Sequence, residues 1–298
     1  MWGRQHGSVV GVVDVGSNTV RLLVARGDRV VLTEREMLHL GADVERLGEI
    51  SAEKLSLVTA LVERFAADAR AAGAERLEVL IASPGRQARN GDELLAALTA
   101  ASGTSTRVLT AVEEGRLAFV GALHSASLPA GRPVAVVDVG GGSAQLVVGT
   151  RRDGPQWSRS VDLGAQRLTS RLLGGDPPGR EAVAAAREEV ERHLDGFAPP
   201  PPRTVLAVGG SARGVKRIMG PRLGRDDLEE ALDLLAVTPA AELAERYGMK
   251  LERAQVLPAG CAILAGLQQR VGAPLKVVRA GLREGAVLEL AAAALAAA

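Results

Sequence analysis

Residues 133–149 read PVAVVDVGGGSAQLVVG, and this stretch concentrates residue types that could do chemistry. A Val-rich run ends in Asp138. Three glycines follow (Gly140, Gly141, Gly142), then the hydroxyl of Ser143, then a second apolar run from Leu146. Short β-branched runs bracketed by glycine predict two strands joined as a hairpin. Successive glycines leave backbone N–H groups without a shielding Cβ and free to take positive φ, as a loop wrapped around an anionic phosphate requires. Asp138, at the end of a buried strand, would face whatever that loop holds. A carboxylate beside phosphate oxygens commonly holds Mg2+, directly or through water. The competing reading is a plain glycine-rich hairpin with a capping aspartate.

The pattern occurs twice. Residues 9–25 read VVGVVDVGSNTVRLLVA, again an apolar run, Asp-Val-Gly, small polar residues and a second apolar run. Asp14 and Asp138 lie 124 residues apart, and an internal repeat at domain length implies two homologous halves. Each would open with a phosphate-loop hairpin. Two such halves would face each other across a cleft and grip a polyphosphate from both sides.

The elements that must position these loops alternate between strand and helix patterns. Residues 9–40 read as successive strands with a turn at Gly27-Asp28, and 43–50 as a connection. Ser51 is placed to cap a helix, and Leu55, Val58, Leu61, Val62, Phe65 and Ala69 follow helical spacing up to Gly73. A strand over 77–83 leads through PGRQARNGDEL into a helix ending near Ala101. Arg86 and Arg89 fall just past that strand, where α/β folds often bind anions, and where solvated loop cations are equally ordinary. Residues 105–125 run from a strand into a helix whose first turn holds Glu113 and Glu114. The helix dipole alone favours acids there; the functional alternative is that one of them points into the cleft as a base. After the central hairpin come a strand, a turn at Gly164 and a basic helix start with Arg167 and Arg171. An amphipathic helix over 180–197 and a stiff connector of four prolines over 199–202 follow. Residues 204–215 give a strand and a Gly-Gly-Ser turn; 225–235, 239–247 and 251–271 are helical. Residues 276–298 close the chain as strand, turn and helix, with Arg283 at the turn.

A chain of 298 residues has room for two domains with separate cores. Its formal charge of +1 argues against a protein that binds nucleic acid by bulk electrostatics, and 2% aromatic residues leave little surface on which bases could stack. Cys261, the single cysteine, cannot form an intrachain disulfide and reads as a small core residue. His6, His39, His124 and His193 show no metal-ligand spacing. No signal segment precedes the first strand and no apolar run has spanning length, so the expected location is cytoplasmic, with no membrane partner.

Taken in order, the blocks resemble those of the exopolyphosphatase and guanosine pentaphosphate phosphohydrolase (Ppx/GppA) family, within the actin, hexokinase and sugar-kinase superfamily. DVGSNTVRLLV resembles the first phosphate loop and DVGGGSAQLVVG the second. VEEGRLAF resembles the segment carrying the catalytic glutamate, and DLGAQRLT, AVGGSARGV and AGLREGAVLEL match later blocks. The resemblance implies an α/β fold of two ribonuclease-H-like (actin-like ATPase) domains facing each other across a cleft. The N-terminal one, residues 1–123, would carry the first phosphate loop and the C-terminal one, 124–298, the second.

Carried over by position, Glu114 would be the general base that activates water. Ser17, Asn18, Arg21, Gly140, Gly141, Gly142, Ser143, Gly210, Ser211 and Arg283 would line the phosphate path. The implied cofactor is Mg2+, at Asp138 with Gln145 and Asp14. Phosphoryl transfer asks mainly for in-line positioning and charge neutralisation, which such a set supplies. Two departures stand out. Gln145 replaces the family's usual glutamate, offering a neutral oxygen where a carboxylate helps hold metal or water. The block resembling ATSALRDA is ASPGRQA here, one residue shorter, which leaves open whether Arg86 or another residue supplies its arginine. The implied function is Mg2+-dependent release of terminal orthophosphate from inorganic polyphosphate. The alternatives are a guanosine pentaphosphate phosphohydrolase, and a weakly active or non-catalytic binder of polyphosphate or of guanosine penta- or tetraphosphate. An ATP-dependent kinase of the same superfamily should show a clearer adenosine pocket and a catalytic aspartate just past the first domain. Family members are often dimers, so a homodimer is a further expectation.

Overall fold

The structure, a computed structural model, describes residues 8–296; His6 and the last two alanines lie outside them. Among the described residues the strands form two sheets on one plan. In the first, β1 (Val9–Val15), β2 (Thr19–Arg26) and β3 (Arg29–Met37) make an antiparallel meander. After α1 (Leu40–Leu47) and α2 (Ala52–Ala71), β4 (Arg76–Ile81) joins parallel to β1. Then α3 (Ser83–Gln87) and α4 (Gly91–Ser102) lead to β5 (Ser105–Val108), parallel to β4, and to α5 (Ala111–His124). Buried along its whole length, β1 shows the continuous apolar run of a central strand. One face of α2, with Val58, Val62 and Phe65, packs on Val13, Val15, Leu22 and Val24. Ser51 caps α2 by accepting from the Lys54 amide.

The second sheet repeats the order. β6 (Val134–Val139), β7 (Ala144–Thr150) and β8 (Gly154–Val161) form the meander. Past α6 (Ala165–Leu172) and α7 (Arg180–His193), β9 (Thr204–Val208) lies parallel to β6. There follow α8 (Gly209–Met219), β10 (Arg222–Leu223), α9 (Arg225–Val237), α10 (Ala240–Arg246), α11 (Leu251–Gln255) and α12 (Leu257–Val271). β11 (Leu275–Val277) extends the sheet beside β9, with β10 antiparallel to it. α12 is apolar on every side from Leu257 to Leu267 and is the buried centre of this unit, as such a helix must be. Cys261 lies on it in a wholly buried place, and burial pushes its thiol up. The meanders share a β-bulge at the same offset, between Val24 and Ala25 and between Val148 and Gly149.

The chain ends in α13 (Leu282–Ala296). Contacts divide the molecule into one unit reaching to Leu117 and resuming at Leu282, and a second from Ala118 to Gly281. This differs from a cut at 123/124 that assigned the C-terminal helix to the second half. The reason is packing: Ala286 and Val287 of α13 cover Val10, Val12, Leu23 and Leu80, the sheet face opposite α2. Arg116 of α5 also pairs with Glu289 of α13.

Four local expectations change. Residues 40–47 form α1 rather than a connection, entered through His39 in left-handed geometry without a side-chain cap. The helix expected over 251–271 is broken at Val256 into α11 and α12. The helix over 180–197 stops at His193. The Gly-Gly-Ser turn is the first turn of α8. Among the described residues no helix is long and apolar enough to cross a membrane.

Candidate functional site

In the first unit the loop between β1 and β2 is a tight turn, closed by the Gly16 amide donating to Thr19 O at 3.2 Å. The carbonyls of Ser17 and Asn18 accept from the amides of Gly41, Leu38 and His39, which fixes the loop against the start of α1. A Cβ at Gly41 would stand 2.7 Å from Ser17 Cβ, so the approach requires glycine. The buried Ser17 and Ser83 hydroxyls lie 2.7 Å apart. Ser83 opens α3 within the shortened ASPGRQA block, and sequence reasoning had given it no role. The Asn18 carboxamide oxygen is buried without a hydrogen-bond partner, an orphan acceptor of the kind a bound donor or cation completes.

Asp14, the penultimate residue of β1, lies directly across from Arg21 on β2. Their charged groups are 4.0 Å apart. Burial pushes the Asp14 carboxyl up, and Arg21 and Arg283 pull it partly back. Arg283, at the first turn of α13, is itself pushed down by burial, with Arg21 and Arg35 adding to that and Glu284 and Asp14 opposing it. The structure therefore brings Asp14, Arg21 and Arg283 together as one charged group.

The two acids at the start of α5 have separate tasks. Thr110 and Glu113 form a reciprocal cap: the Thr110 amide donates to Glu113 Oε2 at 2.8 Å, and the Glu113 amide to Thr110 Oγ1 at 3.2 Å. The Thr110 amide and hydroxyl hold the Glu113 carboxyl below its usual range. Glu114 turns inward and is buried, only 8% exposed. Arg86 Nη2 donates to Glu114 Oε2 at 2.8 Å, while Arg86 Nη1 donates to Leu109 O at 2.6 Å. Arg89 points elsewhere, to Leu47 O and Glu49. Of the two arginines in the shortened block, Arg86 and not Arg89 bonds to Glu114. A Thr-x-x-Glu cap at 110–113 was the sequence signal that could have separated Glu113 from Glu114.

In the second unit the turn between β6 and β7 repeats the first, with the Gly140 amide donating to Ser143 O at 3.0 Å. That removes the Gly140 N–H from the set expected to face phosphate. None of Gly140, Gly141 and Gly142 takes positive φ. The close approach requires glycine at another position: a Cβ on Gly164, just before α6, would collide with the Gly141 backbone. The first amides of α6 donate into the loop, Ala165 to Gly140 O and Gln166 to Gly141 O, both at 2.9 Å. The DLGAQRLT block therefore braces the glycine loop, turning its carbonyls toward α6.

Asp138, the penultimate residue of β6, lies directly across from Gln145 and beside Val208 of β9. Gln145 is buried, and its Nε2 donates to Ser143 Oγ at 3.0 Å. At the N-terminus of α8, Gly209 has φ +87° and would carry a Cβ 2.6 Å from Asp138 Oδ1, so the carboxylate packs directly on this turn. A Cβ on Gly210 would collide with the Arg253 guanidinium, and Ser211 is buried against Gly260. Arg253 is a neighbour of the third block that sequence reasoning missed; nothing in the local pattern of α11 marks it.

Among the described residues no three His, Cys, Asp or Glu side chains gather as a metal cluster. Mg2+ needs only one or two protein carboxylates when phosphate oxygens and waters complete its shell. Asp138, with a neutral amide as its cross-strand neighbour, fits that requirement. Asp14 fits it less well: its neighbours Arg21 and Arg283 are guanidinium groups, which repel a divalent cation and take Asp14 as their counter-ion.

A profile of the Ppx/GppA phosphatase family matches residues 23–294. Exopolyphosphatase 1 of Mycobacterium leprae is 29% identical over 301 residues, covering 94% of this chain and 88% of that protein. An Aquifex aeolicus PPX-GPPA enzyme of known structure superposes with a TM-score of 0.79 at 26% identity, covering 95% of this chain and 99% of the other. A crystal structure described as an exopolyphosphatase-like protein gives 0.87 at 25% identity, covering 96% and 99%.

Proposed function

The chain belongs to the Ppx/GppA phosphatase family, and we propose that it is a Mg2+-dependent exopolyphosphatase with Glu114 as its general base. The observation that carries this reading is the buried Glu114 carboxylate, held by a charge-assisted bond from Arg86 that is itself fixed to the backbone at Leu109. A general base needs a fixed orientation toward the water it activates, and the Arg86 bond gives the Glu114 carboxylate one. The similarity to Exopolyphosphatase 1 over most of both chains supports the substrate class.

Water attacks the terminal phosphorus and gives its proton to Glu114 as the new P–O bond forms. The phosphoanhydride bond opposite breaks, releasing orthophosphate and a chain one phosphate shorter. Arg21 and Arg283, with the loop amides near Ser17, offset the phosphate charge; their contribution is positioning and electrostatics rather than covalent chemistry. Asp138 would hold Mg2+, which when bound neutralises phosphate oxygens. The scarcity of aromatic residues, 2% of the chain, favours polyphosphate over a guanine nucleotide. Cytoplasmic work and a homodimer remain part of this reading.

The test is orthophosphate release, with Mg2+, from long-chain polyphosphate and from guanosine pentaphosphate, using Glu114→Gln as background. Release from polyphosphate above that background is the expected result. Release from guanosine pentaphosphate alone would change the substrate. Tight binding of either without release would make the chain a sensor.

A further inference from the structure

Asp14, Arg21 and Arg35 are direct cross-strand neighbours on β1, β2 and β3, and residues so paired share one face of a sheet. It is the face on which α13 packs, and there Arg283 is close enough to Arg21 and Arg35 for each to oppose its charge. Three guanidinium groups therefore gather around the carboxylates of Asp14 and Glu284. Like charges placed directly opposite one another on a sheet destabilise it, so Arg21 beside Arg35 needs a compensating anion.

The fold does not impose this arrangement. The same rung in the second sheet reads Asp138, Gln145, Ser160, with no cation. Nor is β3 short of partners for its other face, where Glu34 and Glu36 both pair with Arg64. Exposure rises outward along the rung, from 11% for the Asp14 side chain to 24% for Arg21 and to an exposed Arg35 on the edge strand. Among the described residues Arg35 has no ion-pair partner. The rung crosses two strand spacings, about 10 Å. A single phosphate does not bridge that distance; a chain of several does.

We infer that this rung is an anion-binding track for the phosphate chain, with Arg35 as an outer contact that holds phosphates beyond the one released. The inference rests on the exopolyphosphatase reading and adds a residue that sets chain-length preference.

Orthophosphate release from tripolyphosphate and from long-chain polyphosphate tests it in the native chain, Arg35→Gln, Arg35→Glu and Arg35→Lys. Arg192→Gln, which removes a cation from the exposed end of α7, is the control. The long-to-short ratio of kcat/KM is expected to fall about threefold in Arg35→Gln at low salt, and further in Arg35→Glu, through KM and less so as ionic strength rises. Arg35→Lys should restore most of the ratio and Arg192→Gln should keep it. An unchanged ratio in Arg35→Glu, or a fall carried by kcat, overturns the inference while leaving the exopolyphosphatase reading standing. A native chain that releases orthophosphate from neither substrate overturns that reading and the inference with it.

Discussion

Gln145 stands in the second sheet where Arg21 stands in the first: each is the direct cross-strand partner of the penultimate aspartate of the central strand. The two hairpins are otherwise alike, down to the turn bond at Gly16 and Gly140 and the bulge ten residues past each aspartate. A guanidinium across from Asp14 neutralises that carboxylate and leaves a cation to spare for phosphate. A neutral amide across from Asp138 adds no positive charge that would oppose a cation there.

Gln145→Glu should therefore strengthen metal binding. The Mg2+ concentration giving half-maximal orthophosphate release is expected to fall about tenfold, in line with the effect of neighbouring groups on metal sites. The exchange also reverses one hydrogen bond, since a carboxylate can only accept from the Ser143 hydroxyl to which the amide donates. A Mg2+ titration of the two proteins checks it, and identical curves would remove Gln145 from the metal's surroundings.

Glu114→Gln should lower kcat by at least about a hundredfold while leaving the affinity for polyphosphate nearly unchanged, as expected for a base that acts only during reaction. Parallel measurement of orthophosphate release and equilibrium binding separates the two. Normal turnover in this variant would show that Glu114 is not the base.

Arg86→Ala frees the Glu114 carboxylate from its brace. A base displaced by about an ångström costs on the order of a hundredfold in rate. Arg86→Lys, which can keep one of the two bonds to Glu114 and Leu109 O, should recover part of it. The readout is kcat for the three proteins with thermal unfolding run alongside, because loss of rate without loss of fold is the expected pattern.

Much of this was legible in the sequence because it is local. The two Asp-Val-Gly hairpins announce themselves by alternating apolar runs and glycine, and the 124-residue offset carries over to the turn bond and the bulge. What the sequence hid depends on distant parts of the chain. Arg86 and Arg89 are indistinguishable until β5 and α5 place Leu109 and Glu114 beside one of them. Arg253 meets Gly210 only because α11 folds back on the start of α8. The helix α1 escaped notice because its N-terminal residue His39 offers no side-chain cap and its eight residues span barely two turns. The glycine loop differs in detail from the expectation: none of its three glycines takes positive φ, and the position that must be glycine for close approach is Gly164, which packs on Gly141.

Stability should show a specific acid sensitivity at Asp43. Burial pushes its carboxyl up, but hydrogen bonds from Ser51 and Lys54 outweigh that and hold it below its usual range. The unfolded chain thus binds more protons than the folded one between the two values. The stabilisation is complete above the unfolded value and is lost as pH falls through the depressed folded value. Asp43→Asn is expected to cost about 1–2 kcal/mol at pH 7, with the gap to the native protein closing well below pH 3.8. Urea unfolding at neutral and acid pH measures both.

The packing of α13 on β1 and β2 has a consequence for how the molecule is made. The second unit is one uninterrupted stretch, available for folding once synthesis has passed Gly281. The first unit begins earlier and finishes later, since Val10, Val12, Leu23 and Leu80 are only partly covered, by Leu109 and Leu117, until α13 emerges. The half that is translated first is therefore the half completed last. A chain stopped before Leu282 should yield a protease-resistant fragment from the second unit and rapid digestion of the first, and limited proteolysis would reveal it.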